Sequence, residues 1–401
     1  MNIVGIVCEY NPFHLGHEFH IQKSRELVGE DSVLVCVMSG DFVQRGEAAL
    51  YSKFARAEAA CFSGADLVLE LPVPWAIASA EGFARGAVAL LGALGATHLS
   101  FGSEAGEVGP LSELAQALLK PDISGEIKAL MAANAAQPYA AARQQVLEAK
   151  LGAFGGLVSA PNNTLAVEYL KAIYSLKLDT QPMTVKRLGA GHDAVSDGPG
   201  LRSASQIREC ISRGEDVGAF LPPSAAQIYA RERTEGRELA DRRLLEAAML
   251  SRLRMFSEDY FNSLPDAGHG LGSRIYRAVR EETGLEAIYM AAKTKRYALS
   301  RIRRVCLCAC LGITAGMSSG LPPYARVLAA NSRGRELLRR QAKDCAVPII
   351  TKPAAVRELS KEAEAVFTLG ADAHDLYVLG YGEASQRTGG QDWRTGPCIV
   401  G

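Results

Sequence analysis

Short apolar runs of strand length alternate with helical patterns through the first half of the chain, and this alternation leaves few folds open. Ile3 to Val7, Ser32 to Met38, Asp66 to Leu71, Thr97 to Phe101 and Met183 to Arg187 are partly β-branched and too short for buried helices. Between the first four lie His17 to Val28, Lys53 to Phe62 and Ser79 to Gly92, long enough for the crossover helices that parallel strands need. The expected fold class is α/β, with an open parallel sheet of Rossmann type in residues 1–200. An Ala-, Gln- and Glu-rich stretch, 107–158, reads as a helical insertion. Pro161 and Asn162 then mark a turn before a helix over Thr164 to Leu176.

After about Asp197 the strand signal disappears. Segments from Arg202 to Arg213 through Ala355 to Phe367, Tyr324 to Ala330 among them, read as helices separated by Gly, Pro, Asn and Ser. Residues 201–380 are therefore expected to form an all-α domain, and the glycine-rich 381–401 a candidate disordered tail. The apolar run Val305 to Ile313 is far below the roughly 20 residues of a membrane span. The N-terminus, MNIVGIVCEYNPF, lacks the charged and long apolar regions of a secretory signal, so a cytoplasmic protein is expected. Nine cysteines without a C-x-x-C pair argue against a disulfide framework and a zinc ribbon; Cys306, Cys308 and Cys310 read as small core residues.

Net charge at first argues against a nucleic-acid partner, since 44 Lys and Arg balance 44 Asp and Glu. The balance is uneven along the chain. Between Lys293 and Lys343 twelve bases face one acid, Glu336, a local charge of +11. Solvated helix faces normally intersperse both signs, so this stretch reads as a phosphate-binding surface. Lys295, Arg296, Arg301, Arg303 and Arg304 are the candidate RNA contacts, with Tyr297 and Tyr324 available to stack on bases.

The sharpest chemical signal is EYNPFHLGH, Glu9 to His17, placed between the first strand and the first helix. Pro12 fixes a turn and Gly16 allows close backbone approach. His14 and His17, three apart, can face one side of the opening helical turn, where free N–H groups and the dipole favour phosphate oxygens. Two histidines there can stabilise charge growing on an α-phosphate during displacement.

This segment resembles the H-x-G-H motif of the nucleotidylyltransferase superfamily. Together with MSGDFVQRGEAALYSKFARAEAA, GADLVLELP, LSFGSE, PNNTLAVEYLKAI, VKRLGAGHD and RSASQIRE, in that order, it resembles the bacterial tRNA(Met) cytidine acetate ligase family. The resemblance implies activation of acetate by ATP, as the magnesium complex, to acetyl-adenylate and pyrophosphate. Acetyl transfer to N4 of the wobble cytidine of elongator tRNA(Met) follows. It implies an ATP floor from Val7 to His20, with Val7, Cys8, Glu9, Tyr10, Asn11, Pro12, Phe13, Gly16 and His20 beside the two catalytic histidines. Gly102 at the end of the fourth strand, Asn162 and Arg187 are candidate nucleotide contacts. Ser203, Ser205 and Arg208 in SASQIR resemble the superfamily's second phosphate-binding signature. Asp41, Gln44 and Arg45, with Lys53 as a further candidate catalytic residue, would line the mouth on a mobile glycine-bounded loop. Arg45 and Lys53 are unranked as contacts to acetate or pyrophosphate.

Two other readings compete. One is a nucleotidyltransferase acting on a small phosphorylated metabolite, and the other a nucleotide-sensing RNA-binding protein without catalysis. No protein partner and no protein-held metal site is expected; His192 beside Asp193 is the one histidine to watch as a metal ligand.

Overall fold

The computed structural model describes residues 1–134, 137–187, 202–240 and 242–401. His192 and Asp193 lie outside the described residues, as does the expected domain boundary at 200. Ten strands are described: β1 (Ile3–Cys8), β2 (Val33–Ser39), β3 (Phe42–Val43), β4 (Glu47–Ala48), β5 (Leu67–Leu71), β6 (His98–Ser103), β7 (Gln181–Lys186), β8 (Ala325–Ala330), β9 (Ile349–Ile350) and β10 (Cys398–Ile399).

The five strands expected in the first half form the parallel run β5-β2-β1-β6-β7. Both faces of this run are covered. In β2, Val33, Val35 and Val37 enter one apolar cluster while Leu34, Cys36 and Met38 enter another, as a central parallel strand requires. From β1 the chain first builds outward through β2 and β5, then returns to place β6 on the other side. That reversal opens a crevice at the carboxyl ends of β1 and β6, where sheets of this kind bind ligands.

The all-α expectation for the second half is corrected. Helices dominate it, but residues Tyr324 to Ala330, expected to be helical, contain β8, which pairs antiparallel with β5. A run this short, apolar but for Arg326, has no period to separate strand from helix, so the neighbouring edge of β5 decides. The strands β9 and β10 then pair parallel to β8. The candidate disordered tail is corrected as well: it carries a short helix, Gln391–Arg394, and β10, and Asp392 within it is fully buried. The described residues of the expected helical insertion form the helices Val108–Leu118, Pro121–Ala133 and Tyr139–Leu151 and a 3-10 segment Gly152–Ser159. A separate apolar cluster joins the helices Arg242–Leu253, Leu271–Glu281, Leu299–Leu311 and Lys361–Val378.

Candidate active site

The carboxyl end of β1 runs straight into the histidine motif, whose backbone is held from three directions. Arg56, fully buried on the helix Lys53–Phe62, donates to the carbonyls of Glu9, Ser39 and Gly40, the oxygens left unpaired where β1 and β2 end. Asn11 accepts the Leu50 N–H through its side chain at 2.9 Å and the Arg208 guanidinium through its carbonyl at 2.6 Å. Tyr229 accepts the Phe13 N–H at 2.9 Å.

The helix Leu15–Val28 then begins with His14 as its N-cap. Its Nδ1 accepts from the Gly16 N–H at 3.0 Å, and Nδ1 of His17 accepts from the His14 N–H at 3.3 Å. With both Nδ1 atoms accepting, the neutral rings carry their protons on Nε2. Burial, with Arg187 and Arg208 nearby, brings the His14 pKa down to about 3. Burial, then the neighbouring His14 and Arg187, pushes His17 well below its ordinary value. The ring centroids stand 3.7 Å apart, so two neutral N–H donors sit side by side at a helix N-terminus. A Cβ at Gly16 would come within 2.9 Å of the His14 ring, which explains the glycine. His20 turns its Nε2 to Ser100 at 3.0 Å, and burial, with Arg187, holds its pKa near 4.

Across the crevice, Arg187 lies over Gly102, where a Cβ would meet its side chain at 3.3 Å. Glu104 locks the next loop to the helix Pro161–Leu176, accepting the N–H groups of Asn162 (3.3 Å) and Asn163 (2.8 Å) and the Asn162 amide (2.6 Å). Asn163 answers by accepting the N–H groups of Glu104 and Ala105, each at 3.0 Å. This makes Asn163 a structural residue and leaves Asn162 half-exposed beside the crevice. Ser203 caps the helix Ala204–Ser212 in a capping box with Gln206. Arg208, bonded to Ser205 at 3.3 Å as well as to Asn11, brings that helix against the histidine motif.

On the other side of β1, the segment expected to be a mobile loop is the hairpin β3–β4, with Gly46 at φ +75° against the backbone of Arg303 and Arg304. Gln44 donates its backbone N–H to Glu9 at 2.8 Å. Arg45 is exposed, and its charge acts on both Glu9 and Arg208. Lys53 and Asp41 do not line the mouth, which corrects the expectation for both. Lys53 is 0% exposed and donates to Glu70 and Asp392, each at 2.8 Å. Asp41 accepts the Lys53 N–H and is paired with His374 at 2.8 Å. Arg326 closes the cluster against Glu70 and Asp392. Six ionisable groups there neutralise one another, and Lys53 is thereby removed as a contact to acetate or pyrophosphate.

A family model described as HIGH Nucleotidyl Transferase matches residues 1–392. The tRNA(Met) cytidine acetate ligase of Syntrophotalea carbinolica is 38% identical over 88% of this chain and 85% of its own. That of Acetivibrio thermocellus is 33% identical over the whole of both chains. The chain belongs to the tRNA(Met) cytidine acetate ligase family. A crystal structure of Thermotoga maritima TmcAL bound with alpha-thio ATP superposes with a TM-score of 0.92, at 30% identity and full coverage of both chains. The apo form of that protein gives 0.94.

In this member of the ligase family the +11 stretch is not one surface. Lys295 is exposed and Arg296 half-exposed, but the other candidate RNA contacts are engaged within the fold. Arg301 donates to the carbonyls of Asp266 and Gly268, Arg303 is paired with Glu47 and Glu286, and Arg304, 8% exposed, is paired with Asp266. Tyr297 and Tyr324 are buried, so neither is free to stack on a base. The second basic group, on the helix Ser332–Gln341, follows the end of β8 that pairs with the start of β5. It therefore lies at the opposite end of the sheet from the histidines.

Sequence reasoning missed Arg56, Glu104 and Tyr229, which hold this ligase-family site in place. Arg56 shares its short helix with Lys53 and Glu58, so its charge alone gave no sign that it is buried. For Glu104 and Tyr229 the partners are too far away in sequence to be paired by inspection.

Proposed function

We propose that the chain is an ATP-dependent ligase that activates acetate as acetyl-adenylate and acetylates N4 of the wobble cytidine in elongator tRNA(Met). The carrying observation is the His14–His17 pair, two neutral Nε2–H donors beside a helix N-terminus at the crevice between β1 and β6. A carboxylate oxygen of acetate attacks the α-phosphorus of ATP, and the bond to the bridging oxygen of pyrophosphate breaks. Donors aimed at the α-phosphate oxygens stabilise the charge that grows there. Acetate needs no base, being ionised near neutral pH. Arg187 and Asn162 stand on the nucleotide side, and Arg45 on the acceptor side. The tRNA approaches that acceptor side, with Lys295 and Arg296 on its phosphates.

Among the described residues no group of three His, Cys, Asp or Glu could hold a metal ion. Magnesium is read as arriving on the phosphates of ATP, its usual ligands. Among the described residues no helix is long and apolar enough to cross a membrane.

The test is incubation with ATP, labelled acetate and elongator tRNA(Met), followed by digestion to nucleosides. Label in the wobble cytidine that requires ATP is expected. Label that appears without ATP, or none at all, would refute the assignment.

A further inference from the structure

Joining an amine to an acetyl group releases a proton, and the residues at this crevice restrict where it can go. The two histidines cannot accept it while neutral, because each Nδ1 is occupied by a backbone N–H and each Nε2 already carries hydrogen. Asp41 and Glu70 lie in the buried ion cluster. Glu47 is paired with Arg303, and both oxygens of Glu104 hold the start of the helix Pro161–Leu176.

Glu9 differs from all of these. It follows β1 by one residue and is half-buried. Its Oε1 accepts the Gln44 N–H at 2.8 Å, on the β2 side of the crevice and away from Gly102 and Arg187. Its Oε2 has no hydrogen bond among the described residues. A carboxylate oxygen is also the acceptor that best matches the exocyclic amine of cytosine.

We propose that Glu9 is the general base of acetyl transfer, receiving on Oε2 the proton that N4 of the cytosine gives up. The N4 lone pair forms a C–N bond to the acetyl carbonyl carbon, and the C–O bond to AMP breaks with its electron pair on the phosphate oxygen. The N4 proton passes to Glu9. This assignment rests on the acetyl-transfer reading above. The groups acting on Glu9 come from four elements: Arg45 from the hairpin β3–β4, Arg208 from the helix Ala204–Ser212, Arg56 from the helix Lys53–Phe62 and Tyr169 from the helix Pro161–Leu176. Burial raises its pKa above the ordinary glutamate value, with the Gln44 N–H and the three arginines opposing.

The experiment measures the two half-reactions separately in Glu9→Gln and Glu9→Asp. One is acetate-dependent ATP–pyrophosphate exchange, and the other is single-turnover transfer of labelled acetyl to elongator tRNA(Met). In Glu9→Gln the ratio of transfer to exchange falls by about a hundredfold or more, the usual range for a lost general base, and Glu9→Asp recovers part of it. Equal losses in both half-reactions, or an unchanged ratio, would overturn the assignment. Should Glu9→Gln fail to fold, the wild-type chain decides. Its transfer rate rises with pH through one ionisation above the ordinary glutamate range, and a flat profile there overturns the proposal. Absence of label with the wild-type chain would instead bring down the acetyl-transfer reading itself.

Discussion

Tyr229 accepts the backbone N–H of Phe13 at 2.9 Å across 216 residues of sequence. The histidine motif is thus held by a helix far along the chain, Pro223–Thr234, whose tyrosine is also stacked on Tyr51 with ring centroids 4.0 Å apart. Replacing Tyr229 by Phe keeps the stacking and leaves the Phe13 N–H without its partner. A buried unpaired donor costs about 1–3 kcal/mol. Urea denaturation should show a loss in that range, together with a lower turnover number for acetate-dependent AMP formation. Unchanged stability would show that Phe13 finds another acceptor.

His14 has two separable duties, capping a helix and donating Nε2–H. Asparagine is among the best N-caps but has no ring nitrogen in the Nε2 position. His14→Asn is therefore expected to melt within a few degrees of the parent while losing about 10²–10³ in AMP formation, the usual loss for one oxyanion donor. His17→Ala is expected to abolish AMP formation with the fold intact. Wild-type turnover by either variant would remove that histidine from the chemistry.

The Asp41–His374 pair sets a pH window. Burial opposes the charged form of Asp41, but the charge and hydrogen bond of His374, then Lys53, outweigh it and bring the pKa down to about 2 from 3.8. Its contribution to stability is present above pH 3.8 and is lost as pH falls toward about 2. For His374, burial is likewise outweighed, here by Asp41, so its pKa is raised above 6.5. That contribution is complete below pH 6.5 and is lost as pH rises through the folded value. Unfolding free energy measured against pH should fall on the alkaline side, and His374→Gln should flatten that limb.

Lys295 and Arg296 and the bases at the far end of the sheet should behave differently. Lys295→Glu with Arg296→Glu is expected to weaken tRNA binding and flatten its salt dependence, by about one unit of slope for each phosphate no longer bound. Arg339→Glu with Arg340→Glu, whose parent residues pair with Glu336 at the other end, is expected to leave both nearly unchanged. ATP–pyrophosphate exchange should be spared in both double variants. Equal effects on tRNA affinity would mean that the whole +11 stretch meets RNA.

Local order was easier to read in the sequence than distant pairing. The five strands of the parallel run and the histidine motif were legible because short apolar runs, a fixing proline and histidines three apart act within a few residues. β8 was misread because a short run, apolar but for Arg326, suits either a strand or a helix until β5 stands beside it. Lys53 and Arg304 were misread for one reason: a cation looks solvent-facing until its partners, Asp392 and Asp266, are brought to it by the fold. The same loss of information turned a count of +11 into a supposed surface.

The ion cluster also imposes an order on synthesis. Lys53 sits at the start of an early helix, and Asp392 follows it 339 residues later. At about 5–20 residues per second, a ribosome leaves that ammonium without its aspartate for on the order of tens of seconds. Arg326, part of the strand that seals the edge of β5, waits for the same carboxylate. The nucleotide-side crevice is encoded early, yet until residue 392 has emerged the two cations have Glu70 between them without the aspartate they share. A ribosome stalled short of that point therefore holds a chain with its histidine motif made and its sheet still open at one edge, a natural client for chaperones that recognise exposed strands.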